Sequence, residues 1–122
     1  MDENKLKLYI AKAKAAYYEI GYVYSLAFGE NVYFNARGFI HLLRKGKSPR
    51  PRSEQLRRLR LIFAAVKVIQ TEKSVSSYEI IKRNGISAHF WVLRSLLGSV
   101  RIRVVIRKID NGKIHFFSVM NK

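Results

Sequence analysis

Cysteine is absent from the 122 residues, which excludes disulfides and thiolate metal sites and leaves the redox compartment unreadable. Acidic residues are scarce. The eight are Asp2, Glu3, Glu19, Glu30, Glu54, Glu72, Glu79 and Asp110; they are scattered and form no two-metal motif. No His-Glu-x-x-His, Walker loop or dinucleotide glycine fingerprint occurs, and no Ser sits in a nucleophile motif. No apolar run approaches the ~18 residues a membrane span needs. The N-terminus, Met1-Asp2-Glu3-Asn4, is acidic and polar with no signal-peptide pattern behind it, so a cytoplasmic place is expected. Internal repeats and low-complexity segments are missing too.

What is present is positive charge. Lys+Arg total 24 against those eight acids, a formal net of +16. Self-repulsion at that density works against a compact chain unless it serves binding. A polyanion is the matching partner, because each phosphate neutralised releases a counterion. Half of the basic residues are Arg, whose planar fork suits phosphate better than an ammonium does. An anionic membrane or an acidic protein is the rival reading. The length fits one domain over 1–122, and 48% apolar residues are enough for one core.

Periodicity divides the chain in two. Residues 4–20 read as a helix with Leu6, Ile10, Ala13, Tyr17 and Ile20 at three- and four-residue steps, ended by Gly21. Residues 22–34 are aromatic-rich, extended or irregular, with a turn at Gly29-Glu30-Asn31. Asn35 is the expected N-cap of a short helix, 36–44, with His41 off its apolar stripe beside Arg37, Arg44 and Lys45. Residues 45–52 form a basic loop kept non-helical by proline. A long helix is expected over 53–70. After it the period changes to two, with strands at 77–82, 89–96, 101–109 and 113–120 and turns at Asn84-Gly85, Gly98-Ser99 and Asn111-Gly112. The fold class is α+β: N-terminal helices packed on a C-terminal antiparallel meander of about four strands.

The last hairpin carries a specific inference. Over 101–109 one face shows Ile102, Val104 and Ile106, and the other Arg101, Arg103, Val105 and Arg107. A two-residue type I′ turn sets 106 opposite 117 and 105 opposite 118, putting Phe117 and Val119 on the oily face and Ser118 and Phe116 with the arginines. A three-residue turn puts His115 there instead. Guanidiniums beside a hydroxyl suit a phosphodiester transition state, where charge grows on the phosphoryl oxygens. The plain alternative is a solvated strand face, or a passive RNA platform with Phe116 stacking a base. His41 is the best candidate acid or base, since imidazole titrates near neutrality. His89, beside Phe90-Trp91, reads as a packed strand residue. With no metal or cofactor motif, the expected chemistry is metal-free and cofactor-free, and RNA is the matching substrate because its own 2′-hydroxyl can act as nucleophile.

The segments Gly38-Phe39-Ile40-His41-Leu42-Leu43, Ile102-Arg103-Val104-Val105-Ile106-Arg107 and His115-Phe116-Phe117-Ser118-Val119, placed on helices followed by a basic antiparallel sheet, resemble the barnase–EndoU–colicin–RelE (BECR) superfamily of small metal-independent ribonucleases, nearest its phage and mobile-element branch. The resemblance covers roughly residues 30–120 and leaves the N-terminal helix, 1–21, outside. It implies an endoribonuclease of toxin-like or mobile-element type, with His41, Arg103, Arg107 and Ser118 lining the active site, and an acidic immunity or antitoxin protein as partner. Arg50, Arg52, Arg57, Arg58 and Arg60 would then track the RNA backbone outside the site, together with Arg37, Arg44, Lys45 and Arg101.

Two non-enzymatic readings compete. Residues 76–97 also scan as a helix-turn-helix around Gly85-Ile86-Ser87, with 100–119 as the wing of a DNA-binding winged helix, although His89-Phe90-Trp91-Val92-Leu93 favours strand. An RNA-associated structural protein would bind tightly and salt-dependently without turnover.

Overall fold

The computed structural model describes residues 2–122. Helix α1 spans Glu3–Ile20; the Asp2 carboxylate caps it by accepting from the Lys5 N–H at 2.8 Å, and Gly21, at φ 67°, ends it. Strands β1 (Tyr22–Ser25) and β2 (Glu30–Tyr33) form an antiparallel hairpin. Asn35 caps α2 (Ala36–Leu43) through the Gly38 N–H at 3.1 Å. The basic loop contains a two-residue ladder, β3 (Arg44–Lys45) with β4 (Ser48–Pro49). No helix among the described residues is long and apolar enough to cross a membrane.

The long helix expected over 53–70 is two helices, α3 (Arg52–Arg60) and α4 (Ile62–Thr71), broken at Leu61 (φ −91°, ψ 0°) by a tight turn from the Leu61 N–H to the Arg58 carbonyl at 3.1 Å. Their buried residues explain the break. α4 buries Ile62, Ala65, Val68 and Ile69 against the sheet, whereas α3 buries Arg58 and Leu59. Two different faces are presented, to two different neighbours.

The sheet has six strands, in the order β1-β2-β8-β7-β6-β5. β5 (Ser77–Arg83), β6 (Ile86–Leu97), β7 (Val100–Ile109) and β8 (His115–Met120) make the expected antiparallel meander, and the N-terminal hairpin extends it through a parallel contact at Tyr33↔His115. Asn84 and Gly85 have φ of 51° and 75°, as a type I′ hairpin turn requires. Residues 77–83 and 86–97 are therefore strands, and the helix-turn-helix needed by the winged-helix reading does not form.

The β7–β8 hairpin corrects the expected register. Positive φ falls on Asp110 (47°), not on Asn111-Gly112. Asp110 is tied to β6: its N–H donates to the Ser87 carbonyl at 2.7 Å and its carboxylate accepts from the Ser87 N–H at 2.8 Å. Val105 opposes Ser118, but Ile106 opposes Phe116 and Arg107 opposes His115, with a bulge between. Phe117 is the extra residue, and a bulge re-aims the side chain it inserts. Ser118 and His115 therefore both reach the arginine face, and Phe117 leaves the oily one.

The core lies under the helices, with Val104, Ile106, Phe116 and Val119 fully buried. Phe116 stacks on Phe34 at 4.9 Å between ring centroids. That corrects its expected role as a base platform: it is a core residue. Tyr17, also fully buried, donates its hydroxyl to the Asn35 carbonyl at 2.6 Å, and burial raises its phenol above the ordinary range. Gly38 sits where a Cβ would collide with the Phe116 carbonyl oxygen and the Tyr17 hydroxyl. Only glycine lets α2 approach β8 this closely, and that approach carries His41 to the sheet.

Candidate functional site

β8 pairs with β2 only near His115, so its later residues form an edge, beside which α2, the basic loop and α3 gather. There a cleft of about 450 Å³ is lined by His41, Lys45, Arg50, Glu54, Arg58, Arg103, Val105, Phe117, Ser118, Met120 and Lys122. Three of the four residues singled out for chemistry, His41, Arg103 and Ser118, share it.

A hydrogen-bonded chain crosses the cleft. Arg50 donates from Nε to the His41 carbonyl at 2.9 Å and from Nη2 to His41 Nε2 at 3.2 Å. Its Nη1 bonds Glu54 Oε1 at 3.0 Å. The same carboxylate oxygen accepts from Arg58 Nε at 3.2 Å, and Arg58 Nη1 donates to Ser118 Oγ at 2.6 Å. Glu54 is thus one anion between two guanidiniums, and Gln55 holds the loop to α3 by donating to the Arg50 carbonyl at 2.9 Å. Arg50 and Arg58 are buried, and buried charge demands such pairing.

These contacts set the protonation states. Burial, then the charges of Arg50, Arg58, Arg107 and Lys45, lower the His41 imidazole to about 4. It is neutral at pH 7, and because Arg50 donates to Nε2, the ring proton sits on Nδ1. Partial burial pushes the Glu54 carboxyl up, but Arg58 and Arg50 outweigh it and hold it below the usual range. Desolvation, followed by the charge of Arg50, lowers Arg58; a guanidinium nonetheless stays charged.

Arg107 stands one layer behind. Its guanidinium lies over the Phe117 ring at 4.5 Å, and the His41 imidazole stacks on the same ring at 4.0 Å. Arg107 Nε donates to His115 Nε2 at 2.9 Å. Desolvation, followed by the nearby Arg37, lowers Arg107; desolvation likewise lowers His115, against the opposing bond to the Lys113 carbonyl. Arg103 contacts Met120 Sδ at 3.8 Å, and its Nε is the one buried side-chain polar atom without a partner among the described residues.

The expected RNA-tracking residues separate. Arg50, Arg58 and Lys45 belong inside the cleft, and Arg57 borders an adjoining hollow that shares Glu54, Arg58, Met120 and Lys122 with it. Arg44 donates to the Lys47 carbonyl and Arg52 pairs with Glu3 of α1. Arg60 lines a groove against α1, and Arg101 a hollow with Arg94 and Lys122. Glu54 and Phe117 were not expected at the site. The spacing Glu54-x3-Arg58 is a legible signal for the first, since a four-residue step puts both on one side of α3, with Arg50 in the loop just before it.

The arrangement offers a neutral imidazole, a hydroxyl and a cationic wall, groups able to bind a phosphodiester and move a proton beside it. Comparison with known protein families, curated proteins and solved structures gives no match, so the chemistry of this cleft is what function must be read from.

Proposed function

We propose that the protein is a metal-independent endoribonuclease that cleaves RNA by attack of the 2′-hydroxyl on the adjacent phosphorus. The observation that carries the reading is that His41, Ser118 and Arg103, distant in sequence, line one cleft with Arg50 and Arg58. The scissile phosphate lies against the guanidiniums of Arg58 and Arg103, which line the cleft. Arg50 swings from His41 Nε2 to the phosphate and frees that lone pair to take the 2′-hydroxyl proton. Ser118 orients a phosphoryl oxygen. The departing 5′ oxygen is protonated by the Lys45 ammonium, which lines the same cleft. Arg107, expected to hold the phosphate, acts instead by holding Phe117 against His41. An imidazole near 4 is a weak base, but the bound phosphate offsets part of the charge that depresses it and moves it toward the range where general bases work best.

The test is cleavage of mixed RNA by purified protein in EDTA, with the product ends identified. Fragments ending in 2′,3′-cyclic phosphate are expected, and His41→Ala should lose about 10²–10⁴-fold in rate, the usual share of a proton-transferring side chain. Intact RNA of every class, or an undiminished His41→Ala variant, refutes the proposal; RNA retained without turnover would make the protein a binding module.

A further inference from the structure

The cleft does not end at Arg103. On the same side of the sheet a second hollow, about 300 Å³, is lined by Phe90, Val92, Ile81, Ser77 and Glu79, and it shares Arg103 and Val105 with the cleft. The pairing explains the continuity. Ser118, Val105, Val92 and Ser77 form one row across four strands, and His115, Arg107, Phe90 and Glu79 form the next. Rows and columns of one face lie side by side, with neighbouring strands about 4.8 Å apart. A group just beyond a phosphate held at Ser118 and Arg103 therefore meets an apolar floor, then a carboxylate.

The carboxylate is informative. In a chain of net +16 whose cleft attracts phosphate, an acidic group on the same face repels the phosphates of the ligand. Glu79 is exposed and forms no ion pair among the described residues. Directly opposite it is Phe90, which lines the hollow and whose ring lies T-shaped to Phe117 with centroids 5.5 Å apart. An aromatic face beside a hydrogen-bond acceptor fits an uncharged, flat ligand part carrying N–H donors.

We propose that this hollow is a nucleobase subsite, which takes the base adjoining the scissile phosphate of single-stranded RNA and selects bases with an exocyclic amine. The proposal rests on the phosphodiester reading of the cleft and adds a preference to it. The base packs on Phe90, Val92 and Val105, and its amine donates to the Glu79 carboxylate. Cytosine, with its N4 amine, is accepted. Uracil is rejected, because the carbonyl oxygen in the same position faces a carboxylate. Duplex RNA is excluded, since its Watson–Crick edges are already occupied.

The experiment compares cytidine and uridine oligonucleotides of equal length by fluorescence anisotropy. The two bases stack similarly and differ at the amine. The oligonucleotides carry 2′-O-methyl groups, so that no attack is possible and binding is read apart from cleavage. The wild-type protein should bind oligo(C) about tenfold or more tighter than oligo(U), the ratio of one good hydrogen-bonded contact. Glu79→Gln, at an exposed position, should bring the two affinities together by binding oligo(U) better. Phe90→Leu should weaken both. Equal affinity of the wild type for the two, or an unchanged ratio in Glu79→Gln, overturns the subsite. If the ratio is present but unmethylated RNA stays uncut, the subsite stands and the nuclease fails; if neither oligonucleotide binds, both fail.

Discussion

The depressed imidazole makes a stability prediction that needs no substrate. His41 is held neutral down to about 4 in the folded chain, whereas in the unfolded chain it charges near 6.5. Between those values the unfolded state binds the extra proton, so stability is complete above pH 6.5 and is lost as pH falls toward 4. Moving from pH 7 to pH 4.5 should cost about 2 kcal/mol through this group, at about 1.4 kcal/mol per pH unit and with a discount for the half-exposed ring. Glu54 and His115 push in the same direction, so the wild type alone does not isolate His41. The assay is urea unfolding at the two pH values for wild type and His41→Gln. The variant should lose about 2 kcal/mol less than the wild type over that interval. Inorganic phosphate should shrink the difference, because an anion at Arg50 and Arg58 favours the charged ring. Equal losses in the two proteins would mean that His41 titrates as a free imidazole and that the cationic wall does not surround it.

Three further outcomes follow from the same contacts. Gly38→Ala should destabilise by about 1–3 kcal/mol in urea unfolding, the usual range for overpacking, because the new methyl meets the Phe116 carbonyl and the Tyr17 hydroxyl; an unchanged midpoint would show that α2 can retreat from β8. Phe117→Ala should leave fold and RNA affinity largely intact but cut the cleavage rate about tenfold or more, since the ring that holds His41 is gone and a slightly misplaced group costs orders of magnitude. Arg58→Met should reduce the salt dependence of RNA binding, lowering the slope of log K against log salt by about one; an unchanged slope places Arg58 off the phosphate path.

How legible this was depends on which interactions decided each element. The cap at Asn35, the Asn84-Gly85 turn and the strands of the meander are local, and their residues announce them. Local signals failed where a distant partner decided. The break at Leu61 exists because α3 is drawn to β8 through Arg58 and Ser118, residues 60 positions apart. The bulge at Phe117 exists because β8 must keep Val119 and Phe116 in the core while its turn is pinned to β6 by Asp110. A sequence read by alternation cannot hold both registers, yet the hairpin uses both. Face arithmetic places Ser118 with Arg103 on one side of the last hairpin, whereas the joining of His41 to them is what the family resemblance implies. Arg50 and Arg58 are expected on the RNA backbone outside the site because charge in a basic loop and on an amphipathic helix is ordinarily exposed; Glu54, the acid that pairs with both inside the cleft, is the signal that marks them as buried.

Burying two guanidiniums under one carboxylate is a poor way to stabilise a domain. Desolvation of each charge opposes their attraction to Glu54, the net charge of +16 adds repulsion, and Arg103 Nε has no partner among the described residues. A network kept for packing alone would do better as hydrocarbon. If instead it is kept for an anion, removing all of its charges together should not harm the fold. The triple variant Arg50→Met, Glu54→Met, Arg58→Met keeps side-chain length and leaves no ion unpaired, unlike any single replacement, which strands a buried charge at a cost of about 3–5 kcal/mol. It should unfold at a urea midpoint equal to or above that of the wild type, while RNA affinity falls sharply and cleavage is lost. The wild type, but not the variant, should gain about 2.7 kcal/mol when a 2′-O-methyl oligonucleotide is present at a hundred times its dissociation constant. A triple variant that is less stable by more than about 2 kcal/mol would show that the arginines serve the fold, and the case for a preorganised phosphate site would go with it.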